Sequence, residues 1–239
     1  RIGGVYGLSW IIPNGTFGRT LLTGIVVGNR IHHNYFGLYT FGATGMHIEN
    51  NEIFDNVQYG VDPHDDSNNL LIENNFVYRN GNPGIIVSKR DTYSIIRNNR
   101  SENNRLHGLM LDRQSNYNLL ENNFASGNVN GLALYDSHHN LVRQNDFIGN
   151  RFGVRANNYS SDNFFTENNV RSNEKGFFFY GRAGQNVVYR NRVTGNTQGV
   201  SLKESEGNVI LDSLAKTDNA IDLKTDTSAR LSNFIERLL

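Results

Sequence analysis

The sequence predicts a single all-β domain, a right-handed parallel β-helix, from a repeat of about 23 residues, strand-like alternation within each repeat, and ladders of Asn. Glycines mark the repeat at steps of 22 to 24 residues: Gly37, Gly60, Gly84, Gly108, Gly131, Gly153, Gly176 and Gly199. A period of this length is typical of a solenoid, in which each repeat forms one turn and stacks on its neighbours. The right hand follows from the general rule for parallel crossovers.

Each glycine from Gly60 onward opens a short predicted strand. The first and third residues after the glycine are apolar in every turn and the fourth is polar, a period of two that belongs to strands. We therefore expect these strands to form one parallel sheet with a core that includes Val61, Val87, Leu109, Leu111, Leu134, Phe177 and Leu202. Other apolar segments flank the Asn positions, so each turn should carry about three strands.

Asn accounts for 37 of the 239 residues, and most of the Asn side chains recur at fixed places in the repeat. Asn and Gly tolerate the left-handed backbone that tight corners require. Identical Asn side chains on stacked turns can also form hydrogen-bonded ladders. A leucine-rich repeat has a similar period, but its Leu signature is absent here.

The two ends of the chain depart from the repeat. Residues 1–25 are rich in Gly and apolar residues, and we expect an irregular first turn there. We expect the β-helix to span 1–225 and residues 226–239 to form a C-terminal cap or tail that covers the last turn. A short capping helix is predicted from the spacing of Ala229, Leu231, Ile235 and Leu238. Since the chain begins with Arg1, it is expected to be a fragment or a mature domain.

Composition argues against several classes of function. The chain has 23 Lys and Arg against 23 Asp and Glu and no basic run, so nucleic-acid binding is not expected. No apolar stretch approaches the length needed to span a membrane. The absence of Cys is compatible with an exported protein and with a cytosolic one. We expect a monomer.

One turn breaks the pattern, because its strand contains a proline. Proline is normally excluded from a central strand, and here Pro63 takes an inward position that leaves Asp62 and His64 facing outward. The same outer face of the following turns gathers polar and aromatic residues: Asp65, Lys89, Arg90, Asp112, Arg113, Tyr135, Arg155, Asn157, Tyr180 and Lys203. Turns stack roughly 4.8 Å apart, so these groups can contact one extended ligand. The alternative is an ordinary solvated face.

Metal sites are weaker candidates. Asp62, Asp65 and Asp66 could bind calcium through oxygen ligands, but the nearby Lys and Arg argue against a dedicated site. The adjacent pairs His32–His33 and His138–His139 are expected to point in opposite directions, as neighbours on a strand do, which disfavours a joint metal site.

The proline-containing turn resembles the mannuronan C-5-epimerases, which carry a Tyr-Gly-x-Asp-Pro-His signature on a parallel β-helix. The matching residues are Tyr59-Gly60-Val61-Asp62-Pro63-His64-Asp65. The resemblance covers residues from about 25 to 210 and is strongest to the periplasmic, alginate-biosynthesis type. It implies conversion of β-D-mannuronate to α-L-guluronate within alginate, an anionic polysaccharide partner, and a periplasmic or secreted location.

The resemblance also implies roles for individual residues. His64 would be the base that takes the C5 proton, Arg90 would neutralise the uronate carboxylate, and Tyr59 or a water would return a proton from the opposite face. Asp62 would orient His64 or the sugar. Calcium-dependent modules of the family have Asp where this chain has Ser88, so no cofactor is expected, and calcium, if bound, is not expected to be catalytic. The remaining polar residues of the face would bind substrate: Asp65, Lys89, Asp112, Arg113, Tyr135, Arg155, Asn157 and Tyr180.

These residue types suit the chemistry, although they leave alternatives open. A proton α to a carboxylate becomes removable when a fixed Arg offsets the charge of the enediolate, and a neutral His can accept it. If His64 were not the base, Tyr59 would be the next candidate, with its pKa lowered from about 10 by neighbouring Arg and Lys. A polysaccharide lyase shares the first half of the reaction. A non-catalytic carbohydrate-binding β-helix is the third possibility.

Overall fold

A computed structural model of the chain describes residues 5–6, 23–214, 218–226 and 234–235, and these contain strands and turns but no helix. The strands form three parallel sheets, of ten, ten and eight strands, so the predicted parallel β-helix with three strands per turn is confirmed. Sheet 1 contains β1 (Val5–Tyr6), β4 (Leu38–Phe41), β7 (Val61–His64), β10 (Ile85–Ser88), β13 (His107–Asp112), β16 (Asn130–Tyr135), β19 (Phe152–Asn157), β22 (Lys175–Tyr180), β25 (Gln198–Lys203) and β27 (Ile221–Thr225).

The other two sheets complete each turn. Sheet 2 contains β2 (Ile25–Val27), β5 (His47–Glu49), β8 (Leu71–Glu73), β11 (Ile95–Arg97), β14 (Leu119–Glu121), β17 (Leu141–Arg143), β20 (Phe164–Thr166), β23 (Val187–Tyr189), β26 (Val209–Leu211) and β28 (Phe234–Ile235). Sheet 3 contains β3 (Arg30–His32), β6 (Glu52–Phe54), β9 (Phe76–Tyr78), β12 (Arg100–Glu102), β15 (Phe124–Ser126), β18 (Asp146–Ile148), β21 (Asn169–Arg171) and β24 (Arg192–Thr194). From β1 to β24 the chain passes from sheet 1 to sheet 2 to sheet 3 in each of eight turns.

The core follows the predicted alternation. All seven predicted core residues are at most 1% exposed: Val61, Val87, Leu109, Leu111, Leu134, Phe177 and Leu202. Equivalent residues of successive turns pair directly, as in Ile85 with Leu109 and Val87 with Leu111. A polar residue at one repeat position therefore lies beside its counterparts, which gives the molecule continuous outer faces.

The repeat glycines serve a different purpose from the one expected. Gly60 does not have a left-handed backbone; a Cβ there would lie 2.5 Å from the Gly84 carbonyl oxygen and 2.4 Å from Val77 Cγ1. The chain needs Gly at this point because successive turns pass too closely for any side chain. Left-handed corners are instead formed by residues such as Asn98 and Asn122, with φ of 54° and 53°.

The Asn ladders lie inside the corners. Asn99 is 1% exposed, and its Oδ1 accepts hydrogen bonds from the backbone N–H and the Nδ2 of Asn75. Its own Nδ2 donates to the Ile72 carbonyl and to Asn123 Oδ1. Two ladders were predicted from the repeat, one through Asn75 and Asn99 and the other through Asn80 and Asn104. A third ladder was not distinguished from the general excess of Asn in the sequence; it contains Asn118, Asn140, Asn163, Asn186 and Asn208.

At the C-terminus the predicted capping helix is wrong where it can be checked. Phe234 and Ile235 form a strand that pairs in parallel with Val209 and Ile210, so the free edge of sheet 2 takes up another strand. The rest of the predicted cap, and most of the expected irregular first turn, lie outside the described residues. In the part of the chain that the structure describes, there is no helix long and apolar enough to cross a membrane.

Candidate active site

The proline-containing strand β7 lies in sheet 1 and presents its polar residues on the outer face. Pro63 is buried toward the core and lies opposite Thr40 of the preceding turn. Because side chains alternate along a strand, Asp62 and His64 lie on the outer side, as predicted. The backbone turns sharply directly after the strand, with φ of 44° at Asp65 and 60° at Asp66. This turn brings the two following carboxylates back toward the strand end.

His64 is held by its own neighbour in the chain. Its Nδ1 lies 2.9 Å from Asp65 Oδ2, and the ring packs 5.6 Å from the Tyr39 ring and 6.3 Å from the Phe41 ring. Partial burial lowers the pKa of His64 below its ordinary value, and Asp65 opposes this shift while Lys89 adds to it. His64 is therefore a neutral imidazole at neutral pH. Since Asp65 occupies Nδ1, the other ring nitrogen, Nε2, is the one that can take a proton.

Asp65 also forms ion pairs with two cations of the next turn. Lys89 Nζ lies 3.4 Å from Asp65 Oδ2, and Arg90 Nη2 lies 3.4 Å from Asp65 Oδ1. The Arg90 guanidinium binds Asp66 through two nitrogens, at 2.9 and 3.0 Å. Arg90 thus reaches Asp65, the partner of His64. Its guanidinium, however, already forms two hydrogen bonds to Asp66. A substrate carboxylate would have to share or displace Asp66.

A third cation, Arg113, lies close to the same place. Its Nε donates to Asp112 Oδ2 at 2.6 Å, and its Nη2 donates to Ser88 Oγ at 3.2 Å. Ser88 Oγ in turn donates to the same oxygen of Asp112, at 3.1 Å. The Arg113 charge contributes to lowering the pKa of His64. Lys89 and Arg113 therefore act on the imidazole from two successive turns, and Arg90 reaches the Asp65 carboxylate that holds it.

Asp62 has an unusual state for a carboxyl group. It is 1% exposed, and its Oδ1 has no hydrogen-bond partner among the described residues. Burial, reinforced by the charge of Asp112, raises the pKa of Asp62 to about 8. Asp62 therefore carries a proton at neutral pH and can donate a hydrogen bond. The carboxylate found on His64 Nδ1 is Asp65, although sequence reasoning had considered Asp62 for orienting the ring.

The environment of Tyr59 also differs from expectation. Burial raises the pKa of Tyr59, the charges of Asp62 and Asp112 raise it further, and Arg113 only partly opposes them. The predicted lowering of this pKa by neighbouring cations is wrong, because the desolvated phenol lies closer to carboxyl groups than the sequence indicated. Tyr59 is a protonated phenol, which suits a proton donor and not a base.

Tyr39 is a site residue that sequence reasoning missed. It pairs with Asp62 across sheet 1, and its ring lies 5.6 Å from that of His64. Burial and the charges of Asp62 and Asp65 raise the pKa of Tyr39 as well. Its position in the repeat could have indicated this. Tyr39 lies two residues after Gly37, just as Asp62 lies two residues after Gly60 in the next turn. One protonated phenol, that of Tyr39, thus borders the imidazole.

The predicted substrate-binding residues of later turns share the outer face of sheet 1 with His64. Tyr135 pairs with Asp112 on one side and Asn157 on the other. Arg155 donates a hydrogen bond to the Tyr180 hydroxyl, and its guanidinium carbon lies 5.1 Å from the centre of the Tyr180 ring. These residues form a continuous strip from the imidazole toward the C-terminal turns.

Three further residues of this strip were not predicted. Phe178 stacks between Phe152 and Tyr180, with ring centres 5.5 and 4.7 Å away, and Lys175 Nζ lies 3.9 Å from the Phe178 ring centre. We call Phe152, Arg155, Lys175, Phe178 and Tyr180 the distal patch. It combines aromatic faces with two cations, the surface that an anionic sugar requires.

Comparison with known proteins gives one family and a set of structural relatives. The family model described as periplasmic copper-binding protein (NosD) matches residues 59–174 and 157–235. The crystal structure of the periplasmic alginate epimerase AlgG superposes with a TM-score of 0.68 at 26% identity, covering 86% of this chain and 51% of that one. The A-module of the mannuronan C-5 epimerase AlgE6 from Azotobacter vinelandii superposes with a TM-score of 0.69 at 19% identity, covering 84% and 67%. The second likeness shows the fold alone.

A curated relative matches over a shorter segment. The mannuronan C5-epimerase of Pseudomonas fluorescens is 37% identical over 49 residues, which is 20% of this chain and 9% of that protein. The chain spans about half the length of AlgG and a small part of the curated relative. These findings confirm the resemblance to mannuronan C-5-epimerases that the residues around His64 indicated.

The family description names copper, so the possible ligands matter. The chain has no Cys. In the groove, the charges of Lys89 and Arg113 act on His64 and Arg90 reaches its Asp65 partner, and these cations oppose a metal ion. Among the described residues, one group of three His or carboxylate side chains has its ligand atoms within 4.8 Å of one another: His47, Glu49 and Glu73. That group lies on sheet 2 and offers one nitrogen and two oxygen ligands, a set that a divalent transition metal accepts.

Proposed function

The chain belongs to the family described as periplasmic copper-binding protein (NosD), and from this membership, its epimerase relatives and its groove we propose that it is a mannuronan C-5-epimerase. The substrate is polymannuronate, bound along the outer face of sheet 1, and the location is periplasmic or secreted. The observation that carries the proposal is a neutral imidazole, His64, with the charges of Lys89 and Arg113 acting on it and the protonated phenol of Tyr39 beside it. Arg90 reaches Asp65, the carboxylate that holds this imidazole.

In the first step, His64 takes the proton from C5 of a mannuronate unit. The C5–H bond breaks, the proton moves to Nε2, and the electron pair delocalises into the sugar carboxylate to give an enediolate. Asp65 accepts the Nδ1 proton in a hydrogen bond and stabilises the imidazolium as it forms. General-base assistance of this kind contributes roughly 10²–10⁴-fold to the rate.

The cations offset the charge that builds on the carboxylate. Arg90 is the residue the resemblance favours, and its guanidinium can bind a carboxylate through two nitrogens. Lys89 and Arg113 contribute to the same field, because both charges already act on His64. The protonated carboxyl of Asp62 adds a neutral donor to the same cluster.

In the second step, a proton returns to C5 from the opposite face. Tyr59 is the proposed donor, because burial keeps its phenol protonated. The enediolate collapses to the α-L-guluronate carboxylate, and the phenolate regains a proton from the imidazolium through solvent. Tyr39 borders the imidazole on the side of the preceding turn and is the second phenol to be tested.

The distal patch holds the same polymer away from the reacting unit. It lies four to five turns beyond His64, roughly 19–24 Å at the spacing of stacked strands, so it would contact sugars several units away. Arg155 and Lys175 would bind uronate carboxylates, and the rings of Phe178 and Tyr180 would pack against sugar faces.

A proton NMR time course on polymannuronate in D₂O tests the proposed reaction. The epimerase produces guluronate signals, with deuterium entering at C5 and no new chain ends. Unsaturated uronate at new chain ends would instead show a lyase, which shares the first step. Binding of polymannuronate without guluronate formation or chain cleavage would indicate a non-catalytic carbohydrate-binding β-helix.

A further inference from the structure

A second cluster of functional side chains lies on sheet 2, away from the groove. Glu49 of β5 and Glu73 of β8 stand directly opposite each other across the parallel pair, and His47 lies two residues before Glu49. Like charges in directly opposed positions destabilise a sheet. Something must compensate for this pair.

Arg97 is a nearby cation whose charge interacts with that of Glu49, but it is bound directly to Glu73. In the same column of sheet 2, Arg97 follows Glu73, and Glu121 and Arg143 follow in turn. Arg143 binds Glu121 at 2.6 Å and Arg97 binds Glu73 at 2.6 Å. The pairs Arg97–Glu73 and Arg143–Glu121 therefore balance. Among the described residues, the side chain of Glu49 has two polar partners, the uncharged amide of Asn50 and the imidazole of His47.

Both carboxylates are oriented toward the imidazole. Asn50 Nδ2 holds Glu49 Oε1 at 2.9 Å, and Arg97 Nε holds Glu73 Oε2 at 2.6 Å. The other oxygen of each faces His47 Nε2, at 3.3 Å from Glu49 and 3.0 Å from Glu73. Ligands roughly 2.0–2.2 Å from a metal lie about 3 Å apart when adjacent in its coordination shell. The observed spacing matches that arrangement.

Hydrogen bonds from outside the cluster also hold both carboxylates in place. Arg97 and Asn50 act on the oxygens that face away from the imidazole. Such outer hydrogen bonds orient metal-binding side chains and tune their affinity.

We propose that His47, Glu49 and Glu73 bind one divalent transition-metal cation, Zn²⁺ or Cu²⁺, which links two successive turns of sheet 2. A site with an imidazole nitrogen favours these ions over Ca²⁺ and Mg²⁺, which prefer all-oxygen ligands. Positions not occupied by protein remain open to water, because His47 and Glu49 are more than a quarter exposed. The site is independent of the proposed epimerase chemistry.

The histidine pair His32–His33 is the competing candidate. The prediction that these side chains diverge is wrong, because a left-handed φ of 57° at His33 turns the chain and brings the two Nδ1 atoms within 2.8 Å. However, His32 stacks on Phe54, and the guanidinium groups of Arg30 and Arg79 lie 5.3 and 5.8 Å from that ring. These cations disfavour a metal there.

Calorimetric titration of the EDTA-treated full chain with Zn²⁺ tests the site. The wild type should bind one equivalent, and His47→Gln and Glu49→Gln should each weaken binding at least about tenfold. Glu49→Gln leaves the Arg97–Glu73 pair intact, and thermal unfolding without metal checks that both variants fold. The matched control is His138→Gln, since His138 faces a single carboxylate, Asp136, at 3.3 Å. It should bind like the wild type.

Electron paramagnetic resonance with one equivalent of Cu²⁺ gives an independent readout. The wild type should show coupling to a single imidazole nitrogen, and His47→Gln should lose it. The absence of stoichiometric Zn²⁺ and Cu²⁺ binding would overturn the proposal. So would a site that survives His47→Gln and disappears in His32→Gln.

Discussion

His64 is the residue on which the proposed chemistry depends, and its neighbours set its pKa from opposite directions. Partial burial lowers the pKa, and Lys89 and Arg113 add to that effect, whereas Asp65 raises it by charge and by its hydrogen bond. The balance leaves the pKa below 6.5. A base of this kind is ready to accept a proton at neutral pH and loses activity as the solution becomes acidic.

The pH dependence of C5 exchange tests this balance. In the wild type, kcat/KM should fall on the acid side with a midpoint below 6.5. Asp65→Asn removes the group that raises the pKa, so the acid limb should move to lower pH. The plateau rate should also fall by roughly tenfold or more, because the weaker base has lost its hydrogen-bond acceptor. Asp136→Asn is the control and should leave the profile unchanged. A shift of the acid limb to higher pH would show that Asp65 does not act on the base.

The sequence was enough to propose His64 as a candidate base, but not to predict the protonation state of the groups around it. The proline-containing motif was sufficient to select the turn, because proline in a central strand is rare. The raised pKa values of Asp62 and Tyr59 result first from burial, and the charge of Asp112, two turns later, raises both further. Side-chain contacts between turns are not visible from the residues of one turn.

At the scale of elements, the Asn ladders determine how turns stack. Each ladder Asn satisfies backbone groups of its own turn and of its neighbours, and Asn99 bonds to both adjacent turns. A buried polar group that loses its partner costs roughly 1–3 kcal/mol. The ladders are therefore cooperative, and one missing side chain affects three turns.

Asn99→Ala should lower the free energy of unfolding by about 3 kcal/mol or more, because several buried donors and acceptors lose partners at once. Asn122→Gly is the matched control. Asn122 is exposed, with φ of 53°, and Gly adopts that backbone readily, so the change should be within about 1 kcal/mol. Chemical denaturation measures both. Equal effects of the two substitutions would show that the ladder hydrogen bonds contribute little.

A buried row of Ser residues on successive turns is interrupted by one carboxyl residue, Asp91. Ser67, Ser115 and Ser137 are 0% exposed, and Asp91 lies in the same row, also at 0%. Asp91 Oδ1 accepts a hydrogen bond from the Ser67 backbone N–H at 2.5 Å, but Oδ2 has no partner among the described residues. Burial raises the pKa of Asp91 to about 9.

Asp91→Ser should stabilise the protein at neutral and alkaline pH. A carboxyl whose folded-state pKa is raised favours folding most below its unfolded pKa, and this contribution is lost as the pH rises toward about 9. The Ser variant should therefore unfold several degrees higher than the wild type at about pH 8, with a smaller difference at about pH 4. Thermal unfolding at both pH values measures this. A lower unfolding temperature of the variant at the higher pH would contradict the assignment.

Strands and core were predictable because the period of two is local, and every described core prediction is confirmed. The third Asn ladder was not distinguished from loop residues by the sequence. The last strand of sheet 2 was not distinguished from the expected C-terminal cap. Their residues do not alternate, and their structure is set by the hydrogen bonds that an adjacent turn leaves unfilled.

At the scale of the whole molecule, the outer face of sheet 1 is a long strip, with the proposed base His64 at one place and the proposed binding residues along it. His64 lies in an early turn, and Lys175 and Phe178 of the distal patch lie five turns later. A polymer can contact both at once. Binding and catalysis should then be separable by mutation.

The double variant Arg155→Gln and Lys175→Gln should bind polymannuronate several-fold more weakly and lose part of the salt dependence, because two half-buried cations of the distal patch no longer contribute. The maximal rate at saturating polymer should remain close to that of the wild type. Calorimetry at two salt concentrations measures the effect. Arg192→Gln, in sheet 3, is the control and should bind normally. Wild-type affinity and salt dependence in the double variant would exclude the distal patch from the binding strip.

The most direct test of the central claim is the exchange of C5 hydrogen with solvent catalysed by the wild type and by His64→Ala, followed by proton NMR on polymannuronate in D₂O. We expect the variant to lose at least about 10²-fold in exchange, because a general base acts mainly in the transition state. Its polymer affinity should remain nearly unchanged. Exchange at a rate close to that of the wild type would contradict the assignment of His64 as the base.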